Sequence, residues 1–148
     1  MDLLQLLWHV DHALGTLSRQ MLARLGVTSP QRVALRALLR EPDTTAAGLA
    51  GMLRVDRSSV TGILQRLEEG NMIERESDAD DGRKQRIRVT AKGRRVDALQ
   101  HGTVEAAMAR TLARMQPSQV QTVTQFLLAF TTELDHERDV LSSLGRVP

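Results

Sequence analysis

The sequence predicts a mainly α-helical fold with a small β-wing near its middle. Three observations lead there. Residues 45–70 carry two short apolar stripes at helical spacing, with a break at 54–56. Residues 72–90 read as two strands around a polar tip. Both ends of the chain carry longer stripes that step by threes and fours, as in helices that pack against other helices.

The first central helix rests on Leu49, Ala50 and Leu53, which share one face, with Thr45 placed as its N-cap. Asp56 is the N-cap candidate for the second, whose stripe is Val60, Ile63, Leu64 and Leu67. Two short helices joined by a tight turn form a helix-turn-helix. The second helix's other face carries Arg57, Ser58, Ser59, Thr61, Gly62, Gln65 and Arg66. Short donors and acceptors near a helix N-terminus, with longer ones a turn on, suit a helix that reads base edges in a major groove. A glycine there lets the backbone approach phosphates closely. A solvated helix face would look similar; the segment that follows decides.

Glu69-Gly70-Asn71 ends the helix, and Asn tolerates the left-handed conformation such an end requires. Met72–Glu76 is a strand candidate. Gln85–Thr90 alternates, placing Ile87 and Val89 inward and Arg86 and Arg88 outward. Between them Ser77 to Lys84, with Asp81-Gly82-Arg83, makes a polar tip. Residues 83–95 hold seven Arg or Lys and no acid, although the whole chain is only +2. A basic stripe beside a helix-turn-helix is the electrostatic footprint of DNA binding, and wing arginines suit narrow A·T minor grooves. DNA contacts are therefore expected from Arg54, Arg57, Ser58, Ser59, Thr61, Gln65 and Arg66, and from Arg83, Lys84 and Arg86 of the wing.

Over nearly its whole length the chain resembles the MarR family, the multiple-antibiotic-resistance regulators. The wing residues Asp78, Asp81, Arg83, Ile87, Val89, Thr90 and Gly93 fall at the family's spacing, and Leu49-Ala50 and Asp56–Thr61 match its helix-turn-helix. Thr28 and Gln31 match the opening of its second helix; Leu67-Glu68 and Arg75 match the approach to the wing. The resemblance implies a homodimeric winged-helix DNA-binding regulator, usually a repressor, many of which lose DNA affinity on binding a small molecule. Arg54 and Asn71 stand where the family usually has glycines, and Val89 replaces a leucine. If position 54 keeps a positive φ, a non-glycine there costs about 1–2 kcal/mol.

At 148 residues the chain divides into an N-terminal dimerisation helix (1–27), the winged helix-turn-helix (28–90, with a recognition helix over 56–70 and a wing over 72–90) and C-terminal dimerisation helices (91–148). No run of 18 apolar residues predicts a membrane span, and Met1–Gln5 has no basic n-region, so a cytoplasmic protein is expected. With no cysteine, a disulfide framework and thiol-based sensing are excluded. Eighteen of the 20 basic residues are arginine, which suits guanine and phosphate contacts, although a GC-rich genome would produce the same bias. The pI near 9.9 fits a nucleic-acid partner.

Residues 2–25 predict one amphipathic helix with a seam of Leu3, Leu7, Val10, Leu14, Leu17 and Met21. Thr28 with Gln31 fits a capping box, with Ser29-Pro30 as an alternative start, for a largely buried helix carrying Val33, Leu35, Ala37, Leu38 and Leu39. Thr44-Thr45 is expected to add a short strand to the wing. One helix is expected from Ala91, capped by Thr90, to Met115, and another from Pro117 with Val120, Val123, Leu127, Phe130, Leu134 and Leu141 on its stripe. These flanking helices offer more apolar surface than one winged-helix unit covers. A homodimer is expected through Leu3, Leu7, Val10 and Leu14 and through Val123, Leu127, Phe130 and Leu134, presenting two recognition helices to a pseudo-palindromic operator in double-stranded DNA.

The sequence offers no catalytic constellation, so no enzyme and no cofactor is expected. His9 and His12 lie three apart, but without a carboxylate at ligand spacing they read as surface histidines, and no metal site is expected. By resemblance, a small-molecule effector, in the first instance an aromatic acid, would meet Trp8, His12 and Arg36. The competing reading, from another class, is a winged-helix module used for protein contact or as a structural dimer, without specific DNA readout.

Overall fold

The computed structural model describes residues 2–42, 44–77 and 85–144. The chain forms two compact units, Met1–Ala107 and Met108–Pro148. The first holds α1 (Leu3–Leu25), α2 (Ser29–Arg40), α3 (Ala46–Leu53), α4 (Arg57–Glu69), β1 (Ile73–Ser77), β2 (Gln85–Val89), α5 (Ala91–Asp97) and the start of α6 (Val104–Leu112). The second holds the rest of α6 and α7 (Pro117–Ser143). This is the predicted class: mainly α, with one antiparallel two-stranded sheet whose register pairs Ile73 with Val89 and Arg75 with Ile87.

Side-chain caps fix the helix starts. Asp2, Thr28, Thr45, Asp56 and Thr90 each accept a bond from a backbone N–H three residues on, satisfying donors that a helix leaves orphaned. Of the two starts open for α2, Thr28 with Gln31 is the one used, as a reciprocal capping box. Thr45 is likewise committed as a cap. That corrects the expected third strand: among the described residues the sheet has two.

The core of the first unit is Val27, Ala34, Leu35, Leu38, Leu49, Ala50, Val60, Leu64, Leu67, Met72, Ile73, Ile87 and Val89. Val33, expected inside, is 43% exposed, because the buried stripe of α2 runs through Gln31, Arg32, Ala34, Leu35 and Leu38. In α4, burying Val60, Leu64 and Leu67 contributes roughly 1.5–3 kcal/mol each. That outweighs the helix-propensity cost of Gly62, about 1 kcal/mol, and of Ser58, Ser59 and Thr61, at most about 0.7 kcal/mol each.

Two turns depart from ordinary backbone. After α3, Arg54 sits at φ 53°, with its N–H on the Gly51 carbonyl (3.3 Å) and the Val55 N–H on that of Ala50 (3.2 Å). After α4, Asn71 sits at φ 53°, with its N–H on Glu68 and the Met72 N–H on Leu67, both 2.8 Å. Both are Schellman ends, and each holds a non-glycine in the left-handed region. Gly70 keeps φ −77°, so the left-handed role belongs to Asn71.

The junction of α4, β1 and α5 is close-packed. The Thr90 hydroxyl donates to the Asn71 carbonyl (2.8 Å) and accepts the Gly93 N–H (3.1 Å), and the Thr90 N–H reaches the Met72 carbonyl (3.0 Å). A Cβ on Gly93 would lie 2.3 Å from the Met72 carbonyl oxygen.

The single helix expected over 91–115 is two. α5 stops at Asp97 and α6 starts at Val104, with Gly102 at φ 68° and Thr103 capping the Ala106 N–H (3.1 Å). Arg32, fully buried on α2, ties this break down. Its guanidinium donates to the carbonyls of Val96, Asp97 (3.0 Å) and Leu99 (2.9 Å), and Nε donates to Glu105 (3.2 Å). In the second unit, Phe126 and Phe130 stack one turn apart at 5.9 Å on α7.

Arg54→Gly is expected to stabilise the fold by about 0.5–1 kcal/mol. Relief of left-handed strain, about 1–2 kcal/mol, exceeds the roughly 0.4–1 kcal/mol of added freedom in the unfolded chain. A lowered melting temperature contradicts the turn described. Gly93→Ala is expected to cost about 1–3 kcal/mol by overpacking; an unchanged melt contradicts the close approach of α5 to Met72.

Candidate nucleic-acid interface

Burial of one stripe of α4 dictates what the other shows. Residues on a helix turn by the 3.6-residue period, so with Val60, Leu64 and Leu67 inside, Arg57, Ser58, Ser59, Thr61, Gly62, Gln65 and Arg66 all face outward and are exposed. Arg54, at the turn before this helix, is also exposed, as is Arg86 on β2. Arg83 and Lys84, with the rest of the tip 78–84, lie outside the described residues. Thus the sequence-predicted residues of 54–66 are brought onto one surface.

Asp56 organises the front of that surface. It accepts the Ser59 N–H (3.1 Å), the Ser59 hydroxyl (3.2 Å) and, in a short bond, the Ser58 hydroxyl. These bonds, led by that of Ser58, hold its carboxyl below the usual aspartate value. Both serines therefore spend their hydrogens on Asp56 and turn lone pairs outward, which suits them to accept from base amino groups. Thr61 donates back to the Arg57 carbonyl (2.9 Å), and Gln65 to Glu69 (2.9 Å). Arg57 and Arg66 enter no ion pair among the described residues, while Arg75 of β1 is tied to Glu68 of α4 (3.0 Å), bracing the wing on the helix.

Gly62 is informative by what surrounds it. A Cβ there would meet no atom of the described residues within 4 Å, so none of them requires a glycine. Its missing side chain leaves the outer face flat at that point. Beside it lies an open cleft of about 570 Å³, with Ser58, Ser59 and Arg66 on one wall and Thr28 and Pro30 on the other. The start of α2 thus borders the same surface, which the sequence showed only as a cap.

A sequence model of the MarR family matches residues 25–84, spanning α2 to the wing. The HTH-type transcriptional repressor Rv2887 of Mycobacterium tuberculosis is 32% identical over 114 residues, 77% of this chain and 82% of that protein. The chain belongs to the MarR family. Its members are transcriptional regulators rather than enzymes. Two solved structures share the fold. MepR of S. aureus in complex with DNA has a TM-score of 0.73 at 19% identity, covering 90% of this chain and 99% of MepR. CouR of Rhodococcus jostii RHA1, bound to p-coumaroyl-CoA, has a TM-score of 0.68 at 23% identity, covering 87% of this chain and 91% of CouR.

The residues expected to meet an effector are placed apart in role. Arg36 pairs with Asp97 (3.1 Å) and lines a cleft of about 460 Å³ with Val33, Met52 and Glu105. Trp8, 74% exposed, and His12 on α1 are not among that cleft's walls. No group of three or more His, Asp or Glu suited to a metal occurs among the described residues, and none of their helices is long and apolar enough to cross a membrane.

Gly62→Ala separates the two demands on α4. It is expected to raise stability by about 0.5–1 kcal/mol through helix propensity while lowering DNA affinity. A variant that is more stable and binds DNA equally well would show that nothing approaches the helix there.

Proposed function

We propose that the chain is a homodimeric, sequence-specific repressor that lays two copies of α4 in successive major grooves of a pseudo-palindromic operator, with its wings on the flanking minor grooves. The observation that carries this is the outward face of α4. It is polar and exposed, and Arg57 and Arg66 on it enter no ion pair among the described residues, while Val60, Leu64 and Leu67 on the opposite stripe are buried. Rv2887 is named a repressor and MepR is solved on DNA, which supports the reading. Arg54, Arg57, Ser58, Ser59, Thr61, Gln65 and Arg66 would read or position the major groove; Arg86, with Arg83 and Lys84, would serve the wing.

The dimer is supported by apolar stripes left partly exposed on α1 and on α7. Leu3 is 54% exposed, Val10 47% and Leu14 42% on α1, and Val123 is 46%, Leu127 44% and Leu134 51% on α7. Leu7 and Phe130 are half-buried on the same stripes. Isolated exposed apolar residues are ordinary, but stripes of this length are not. A small-molecule effector that prefers one separation of the two recognition helices would lower DNA affinity by its differential binding. CouR's acyl-CoA ligand supports an aromatic acid or its thioester. The exposed Trp8 and His12, with Arg36, are the residues offered for it.

Binding to a duplex obtained by in vitro selection is expected to weaken steeply with salt, by a log–log slope of about −0.9 per phosphate neutralised. Arg57→Ala should reduce affinity by about tenfold or more and relax preference at one base pair in each half-site. Arg83→Ala should weaken binding as well, and both variants should remain dimers by light scattering. Unchanged affinity in both, or a wild-type monomer at micromolar concentration, contradicts the proposal.

A further inference from the structure

The fully buried Arg32 has no part in the surface described above. It lies on α2, yet its partners are 64 to 73 residues away, all on the stretch that carries the chain from α5 into α6. That stretch packs on the core at Val96 and is exposed from Ala98 to Gly102. Leu99 is 39% exposed, no residue of α6 is fully buried, and the other inward anchor is Thr103, 2% exposed. By contrast, the junction of α1 and α2 is held by buried Met21 and Val27. A guanidinium suits the task because its donors diverge in a plane. Nε, Nη1 and Nη2 reach Glu105, Val96, and Asp97 with Leu99, which the single point of a lysine ammonium cannot match. Arg36 adds a second tie to the same stretch through Asp97 (3.1 Å).

We propose that Arg32 is a specificity-determining positioning residue: by gripping the Val96, Asp97 and Leu99 carbonyls and the Glu105 carboxylate, it fixes the course of the chain out of the winged-helix unit and so the half-site spacing accepted on DNA. This rests on the dimeric DNA reading above. In such a dimer the separation of the recognition helices depends on how rigidly each winged-helix unit is joined to the helices that pair. Arg32 touches no DNA in this account; it acts through residues 96–105.

The test uses the full-length protein and two variants, Arg32→Lys and Glu105→Ala. Glu105→Ala leaves the three carbonyl bonds in place but removes the anionic partner of a buried guanidinium, so its melt is measured first and Glu105→Gln is read in its place if it unfolds. Glu105→Gln serves as the conservative rescue, since its amide oxygen can still accept from Nε. Amide hydrogen exchange is read over residues 98–106 without DNA. Affinity is then compared between the selected duplex and versions lengthened or shortened by one or two base pairs, about 35–70° of helical twist. The wild type is expected to discriminate against altered spacing by about tenfold or more, and Glu105→Ala to lose most of that ratio, a coupling of ordinary allosteric size. Exchange in Glu105→Ala should quicken over 98–106 while α3 and α4 stay protected, and Glu105→Gln should fall between. Retained discrimination in the variants, or exchange that quickens evenly across the winged-helix unit, overturns the proposal and leaves the DNA reading intact. A wild type that selects no sequence overturns the DNA reading first and the spacing role with it.

Discussion

The rest of the structure depends on the burial of one side of α4. Val60, Leu64 and Leu67 lock into a core built from α2, α3 and the wing strands. Rotating the helix by one residue, about 100°, would put Ser59 and Arg66, or Thr61, Gln65 and Glu68, in the core and leucines in water. The rotation is therefore fixed by several kilocalories per mole, and with it the set of side chains facing out. Asp56 at the front end, the left-handed turn at Asn71 behind and the Arg75–Glu68 pair at the wing then fix the helix along its length. Rigid support of this kind lets short side chains such as Ser58 and Ser59 be useful at an interface, since they have almost no reach of their own.

The two left-handed non-glycines bracket that helix, Arg54 before it and Asn71 after it. Asn is tolerated in this region because its short polar side chain bonds locally; an arginine is not favoured in the same way. A glycine at position 54 would relieve the turn but would remove a cation from the edge of the exposed face. Strain kept at a functional surface is a familiar pattern, and the proposed DNA contact of Arg54 gives it a reason here. At Gly93 the constraint has the opposite sign. There a side chain is excluded by the Met72 carbonyl, so the family-like glycine of α5 is required for packing of the fold itself.

What could be read from the sequence was what is local. Thr28, Thr45, Asp56 and Thr90 sit immediately before apolar periodicity, and each caps a helix. The alternation that placed Ile87 and Val89 inside needs only the two-residue period of a strand. The outward face of α4 followed from the same arithmetic. The break at 98–103 was missed because the group that ties it down lies far away in sequence. Arg32 looked like one more arginine in a helix, and nothing near it announces carbonyl partners beyond residue 95. The adjacent Gly102-Thr103 pair, a left-handed stop followed by a cap, was the local clue. Val33 was placed inside for the related reason that a burial pattern offset by a buried arginine does not look apolar. An effector site was the least legible, since Trp8 and His12 lie on α1 and Arg36 on α2, and periodicity gives no distances between helices.

Hydroxyl-radical footprinting of the selected duplex bound to the full-length protein tests the central claim most directly. If the outward faces of two α4 helices enter the DNA, protection should fall in two patches related by a dyad, about one helical turn or 10–10.5 base pairs apart centre to centre, with weaker protection outside them from the wings. A single patch, protection without dyad symmetry, or a pattern unchanged when Ser58 and Ser59 are both replaced by glutamate would contradict it.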